Sequence, residues 1–152
     1  MKYIIYFCQK IEVDKKKRIA NFYDPLKKII LSNDNKEILK TITDFLSKKK
    51  YEVVSASDGL DGLKLLEAEK QEFDLIITDL VIPQLSGTGL ISIIKKRFPD
   101  IPIIAMSGWG EYPGAFALES QADMVLSKPF ELSKLDKAID ELISSKKNKI
   151  QD

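Results

Sequence analysis

No residue of this chain is a histidine. That removes the commonest general base and the commonest zinc ligand from any chemistry it performs. Cys8 is the only cysteine, so no intramolecular disulfide and no thiolate metal site can form. An excess of charge is missing too: 24 basic side chains stand against 23 acidic ones, for a net of +1. Nothing in that balance pulls the chain toward nucleic acid or an anionic membrane. Long apolar runs are also lacking, since none approaches the roughly 18 residues of a membrane span. The stretch 3–8 follows a lysine, but it is too short for a signal-peptide core and has no small-residue cleavage pattern. Internal repeats and low-complexity tracts are absent. The expectation is a cytoplasmic protein without membrane or direct nucleic-acid contact, its 152 residues suiting one domain.

What is present is a rhythm that starts at Lys27. Residues 29–31 form a short apolar run ended by a polar turn, Ser32-Asn33-Asp34-Asn35. Ile38, Ile42, Phe45 and Leu46 then recur at helical spacing. Residues 51–55 read as a strand, and Asp58-Gly59 opens a helix carrying Leu63 and Leu66; Gly59 and Gly62 read as turn and close packing. Residues 73–78 are almost continuously apolar, as in a strand covered on both faces. After the loop 79–86 comes a helix with Leu90, Ile93 and Ile94 inward, stopped at Phe98-Pro99. Strands at 101–106 and 123–126 follow. The region 109–120 contains Gly110, Pro113 and Gly114 and reads as a short or irregular helix. A final helix carries Leu132, Leu135, Ile139, Leu142 and Ile143, with Lys146-Lys147 complementing its dipole.

Such alternation predicts an α/β fold, a doubly wound five-stranded parallel sheet in a flavodoxin-like three-layer sandwich. Residues 27–145 form that domain. Residues 1–26 are an extension of unknown role, strand-like over 1–9 with a solvated charge run at 14–18, and 146–152 are a short basic tail.

In doubly wound folds functional groups gather past the carboxyl ends of the strands. Here those positions carry Asn33 and Asp34, then Asp79, then Ser107, then Lys128. Two carboxylates, an amide, a hydroxyl and an ammonium on one edge suit phosphoryl transfer to a carboxylate. A carboxylate can attack phosphorus to form an acyl phosphate. Oxygen ligands suit Mg2+, and catalysis of this kind is mostly positioning and charge stabilisation.

The motifs are Ile-Ile-Leu-Ser-Asn-Asp at 29–34, Leu-Ile-Ile-Thr-Asp-Leu-Val-Ile-Pro-Gln-Leu-Ser-Gly at 75–87, Ile-Pro-Ile-Ile-Ala-Met-Ser-Gly at 101–108 and Lys-Pro-Phe at 128–130. Singly weak, in this order and spacing they resemble a response-regulator receiver domain of two-component signalling, CheY-like. The resemblance implies Asp79 as phosphoacceptor, Ser107 as switch hydroxyl and Lys128 as the phosphoryl contact. It implies Mg2+ on Asp34, Asp79 and the backbone carbonyl of Val81, with Asn33 reaching it through water. It implies a phosphoacceptor switch rather than an enzyme, served by a sensor histidine kinase or phosphotransfer protein. The downstream protein is unknown, and the chain is expected to be stand-alone, a monomer or weak homodimer.

Three departures matter. Asn33 stands where the family usually has an acidic residue, so weaker magnesium binding is expected. Val125 replaces the aromatic that many relatives carry three residues before the lysine. Val81 and Trp109, two residues beyond Asp79 and Ser107, flank the path of the hydrolytic water in the family and predict a long-lived acyl phosphate. A receiver-like binding module that signals without phosphate is the second reading. A haloacid-dehalogenase-like phosphatase is disfavoured, because Val81 occupies the place of its second aspartate. Nucleotide binding is disfavoured by the lack of a glycine-rich phosphate loop.

Overall fold

The computed structural model describes residues 27–69, 72–82, 84–108 and 121–150. The extension 1–26, Pro83 and the region 109–120 with Trp109 lie outside the described residues, as do 151–152 of the tail.

Five strands form one parallel sheet in the order β2-β1-β3-β4-β5. They are β1 (Lys28–Ser32), β2 (Glu52–Ala56), β3 (Leu75–Asp79), β4 (Ile103–Ser107) and β5 (Met124–Ser127). The described helices are α1 (Lys36–Lys48), α2 (Gly59–Ala68), α3 (Gly87–Arg97) and α4 (Leu132–Ile150). The expected doubly wound α/β class is what the chain adopts.

Strand alternation sorts the apolar residues into two cores. Ile29, Leu31, Leu75, Ile77, Ile104 and Met106 share a cluster with Ile42 and Leu46 of α1 and Leu135, Ala138 and Ile139 of α4. Ile30, Ile76, Ile103 and Ala105 share the other with Leu66 of α2 and Leu90, Ile91 and Ile94 of α3. The sheet is therefore covered on both faces, which is why β3 and β4 are buried at every position. Val125 is half-buried against the second cluster.

The helices start where side chains cap them. Asn35 accepts hydrogen bonds from the N–H groups of Glu37 and Ile38, and Asp58 accepts one from Asp61 N–H at 2.8 Å. Ser86 accepts one from Gly89 N–H. Far from the carboxyl edge, the turn after α1 is joined to α4 by polar contacts: Lys49 pairs with Asp136, and the Tyr51 hydroxyl donates to Asp140 at 3.1 Å. Burial, reinforced by Asp140 and then Asp136, pushes the Tyr51 phenol up to about 12, so it stays a neutral donor at ordinary pH.

Order reverses between β1 and β3, which lie side by side while the chain leaves β1 for β2 on one side and returns to β3 on the other. The crevice beyond the carboxyl ends of those two strands is the switch point. Asn33, Asp34 and Asp79 all lie there.

Candidate functional site

Asp79 is the last residue of β3 and is 4% exposed. A carboxylate that deeply buried needs partners, because an unpaired buried charge costs several kcal/mol. It has three. Lys128 Nζ and Asn33 Nδ2 both donate to Oδ2, the latter at 3.2 Å. Val81 N–H donates to Oδ1 at 3.0 Å. Thr78 Oγ1 donates to the Asp79 carbonyl at 3.0 Å, fixing the backbone that carries the side chain.

The elements around it set this geometry. β3 is clamped at its end by Leu80 N–H donating to the Met106 carbonyl of β4, at 3.0 Å. The chain then loops and returns to start α3, where Gly87 N–H donates to the Leu80 carbonyl at 3.1 Å. Lys128 comes from just beyond β5, before a cis bond to Pro129. Its backbone N–H donates to the Ser107 carbonyl at 2.6 Å, so the backbone joins the ends of β4 and β5. Ser107 is fully buried at the end of β4, one residue beyond Met106, which pairs with Asp79 in the sheet register.

Each expected site residue can now be placed. Asp79, Asn33 and Lys128 are in direct contact. Val81 is 62% exposed and touches Asp79 through its N–H. Asp34 is exposed in the turn between β1 and α1, one residue beyond buried Asn33. Ser107 lies buried on the neighbouring strand end, one residue beyond the register partner of Asp79. Trp109 lies outside the described residues.

The donor set bears directly on Mg2+. Two carboxylates and a carbonyl fit an ion that keeps several waters and takes one or two carboxylates. No group of three or more acidic or thiol side chains suited to a metal occurs among the described residues. A carboxylate offers about four lone-pair positions, and three donors already occupy Asp79. Asp34 is an exposed carboxylate in the adjoining turn, and Asp79 keeps one lone-pair position beyond its three donors. Asn33 Oδ1 accepts the Asn35 N–H at 2.8 Å, which takes one of that oxygen's two lone pairs.

Sequence reasoning passed over two features here. Thr78 gave no signal, being one residue of an apolar strand. Gly87 was read only as motif spacing, whereas a Cβ there would overlap the Asp79 carbonyl oxygen and come 2.7 Å from Leu80 Cα.

Beside Lys128 an apolar groove of about 460 Å³ runs between α1 and the start of α4, lined by Ile38, Thr41, Ile42, Met106, Pro129 and Phe130 among others. No helix among the described residues is long and apolar enough to cross a membrane.

Comparison with known proteins places residues 29–140 in the family model described as "Response regulator receiver domain". The transcriptional regulatory protein GlrR of Escherichia coli (strain K12) is 34% identical over 116 residues, 76% of this chain and 26% of that protein. The alkaline phosphatase synthesis transcriptional regulatory protein PhoP of Bacillus subtilis (strain 168) is 32% identical over 105 residues, 68% of this chain and 43% of that protein. The chain thus spans less than half the length of either relative. A solved response regulator receiver domain protein from Clostridium thermocellum superimposes with a TM-score of 0.75 at 32% identity, covering 80% of this chain and 98% of that one.

Proposed function

The chain belongs to the response regulator receiver family, and on that premise we propose that it is a cytoplasmic phosphoacceptor switch whose acceptor is Asp79. The observation that carries this reading is the convergence of Lys128 Nζ and Asn33 Nδ2 on one oxygen of a buried carboxylate, with Val81 N–H on the other. Donors already aimed at the reacting group stabilise charge without reorganising during the reaction.

In the proposed step a carboxylate oxygen of Asp79 attacks the phosphorus of a phosphohistidine on a sensor kinase or phosphotransfer protein. An O–P bond forms, the P–N bond breaks, and the imidazole leaves with the electron pair and takes a proton from solvent. Asp34, Asp79 and the Val81 carbonyl would hold Mg2+, which would supply neutralising charge for the phosphoryl oxygens. Lys128 then carries the ion pair from Asp79 to the phosphoryl group, and Ser107 donates its hydroxyl to it. Because Lys128 N–H is bonded to the Ser107 carbonyl, these two adjustments pull β4 and β5 together, and protein contacts on that side change. The apolar groove beside Lys128 offers the phosphodonor protein a seat within reach of the acceptor. Downstream output is through protein contacts, from a monomer or weak homodimer. A module that signals without phosphate is the second reading, favoured by Val125, whose small half-buried side chain leaves no aromatic to reorient. Phosphoryl incorporation at Asp79 separates the two.

The acyl phosphate is expected to be long-lived. Val81 places an exposed apolar side chain beside the acceptor, where a polar one would orient the attacking water. Val81→Asp should shorten the half-life of the phosphorylated protein about tenfold, well below the 10²–10⁴ of a fully positioned base. Loss of the phosphoryl group timed by intact mass is the check. A wild-type half-life no longer than that of Val81→Asp contradicts the expectation.

A further inference from the structure

Asn33 is fully buried, and both ends of its amide are used. Its Oδ1 accepts the Asn35 N–H at 2.8 Å, and its Nδ2 donates to Asp79 Oδ2 at 3.2 Å. A backbone N–H can only donate, so the atom facing it must be the amide oxygen, and the atom facing Asp79 must be the NH2 group. Asn35 in turn accepts the N–H groups of Glu37 and Ile38 at the start of α1. A continuous chain of hydrogen bonds therefore runs from the α1 N-terminus through two asparagines to the Asp79 carboxylate.

We infer that Asn33 is a positioning residue for Asp79 and is not a direct ligand of the cation. With Lys128 it satisfies Asp79 in the resting state, so the resting pocket needs no cation to be stable. This deepens the proposed reading of the site, on which it rests. The reason lies in what an aspartate would do at the same place. Aspartate at 33 could keep the turn, since one oxygen would still accept Asn35 N–H. Its other oxygen would then face Asp79 Oδ2 where a donor now stands. Two carboxylates in contact, at positions 0% and 4% exposed, repel; the Lys128 ammonium on Asp79 Oδ2 offsets only one of the two charges and leaves the other for a bound cation. Asparagine removes that repulsion and substitutes a hydrogen bond. What it gives up is a cation ligand, leaving Asp34 as the second carboxylate.

The test uses the full chain and Mg2+ alone, without phosphodonor. Thermal melting of the wild type should shift by less than about 1 °C between chelator and 1 mM Mg2+, as for a ligand present well below its dissociation constant. Asn33→Asp should melt several degrees lower in chelator and regain most of that loss in Mg2+. Asn33→Ala should melt lower and regain nothing, which keeps the inference testable if Asn33→Asp fails to fold. In nitrogen-15 spectra the Asn33 side-chain amide should show one proton protected from exchange, and Asp79→Ala should abolish that protection. A purely structural role for Asn33 at the helix start would leave this signal indifferent to Asp79. Equal magnesium responses in wild type and Asn33→Asp, or an amide signal unmoved by Asp79→Ala, overturn the inference. Neither result bears on whether Asp79 takes a phosphoryl group, which is read separately by mass.

Discussion

Gly87→Ala should destabilise the protein by about 3 kcal/mol or more, the upper end of overpacking costs. The added Cβ would overlap the Asp79 carbonyl oxygen and approach Leu80 Cα to 2.7 Å and the Asp79 carbonyl carbon to 2.8 Å. All of these are backbone atoms, and none can swing away as a side-chain tip would. They are also held in place, since Leu80 N–H is bonded to the Met106 carbonyl and Gly87 N–H to the Leu80 carbonyl. Relief therefore requires α3 to back away from β3 and forfeit its packing through Leu90, Ile91 and Ile94. The comparison is Gly62→Ala, whose Cβ would meet nothing closer than Leu90 Cδ2 at 3.7 Å. That is ordinary contact inside a helix, where alanine is preferred over glycine by up to about 1 kcal/mol. Thermal melting checks the pair: a drop of roughly 8 °C or more for Gly87→Ala, beside a neutral or stabilised Gly62→Ala. A Gly87→Ala protein that melts with the wild type would mean that the Asp79 backbone is not held as described.

Lys128→Met should lower the rate of phosphoryl uptake about 10²–10³-fold, the loss typical of deleting one preorganised charge-stabilising donor. Methionine keeps most of the stem and leaves the groove formed with Pro129 and Phe130 filled. What disappears is the ammonium on Asp79 Oδ2. Asn33 Nδ2 remains on that oxygen, so the carboxylate keeps one donor at each oxygen and the fold should persist. The single-turnover rate with acetyl phosphate and Mg2+ is the measurement, with melting as the control for folding. A loss smaller than about threefold would place Lys128 outside the transition state.

The strand–helix order and both faces of the sheet were legible from apolar spacing, because parallel strands buried on both faces leave near-continuous runs. Strand limits were less so. The run at 73–78 suggested a strand from Phe73, but β3 begins at Leu75, where pairing with Ile29 starts. Phe73 is buried for a different reason, beneath α2 and α3 with the Lys28 ammonium 5.1 Å from its ring. Likewise the run from Ile101 enters β4 only at Ile103, whose N–H is taken by the Asp123 side chain at 2.7 Å. Apolar patterning reports burial and does not see which N–H finds a strand partner.

Within the site, the residue types and their positions at strand ends were readable. Their contacts were not. The sequence placed Asn33 near Asp79 but could not say which end of its amide would face the carboxylate. That depends on the Asn35 N–H two residues on, a consequence of how the turn closes. Nor could it show that Lys128 is tied to Ser107 through the backbone, which follows from the parallel register of β4 and β5.

Intact mass of the protein after incubation with acetyl phosphate and Mg2+, beside Asp79→Asn treated identically, tests the central claim most directly. The account predicts a gain of one phosphoryl group, roughly 80 Da, as the acyl phosphate of a carboxylate nucleophile. The gain should depend on Mg2+ and be absent from Asp79→Asn. A folded wild type that gains no mass at any Mg2+ concentration, or an Asp79→Asn protein that gains it equally, would contradict the account.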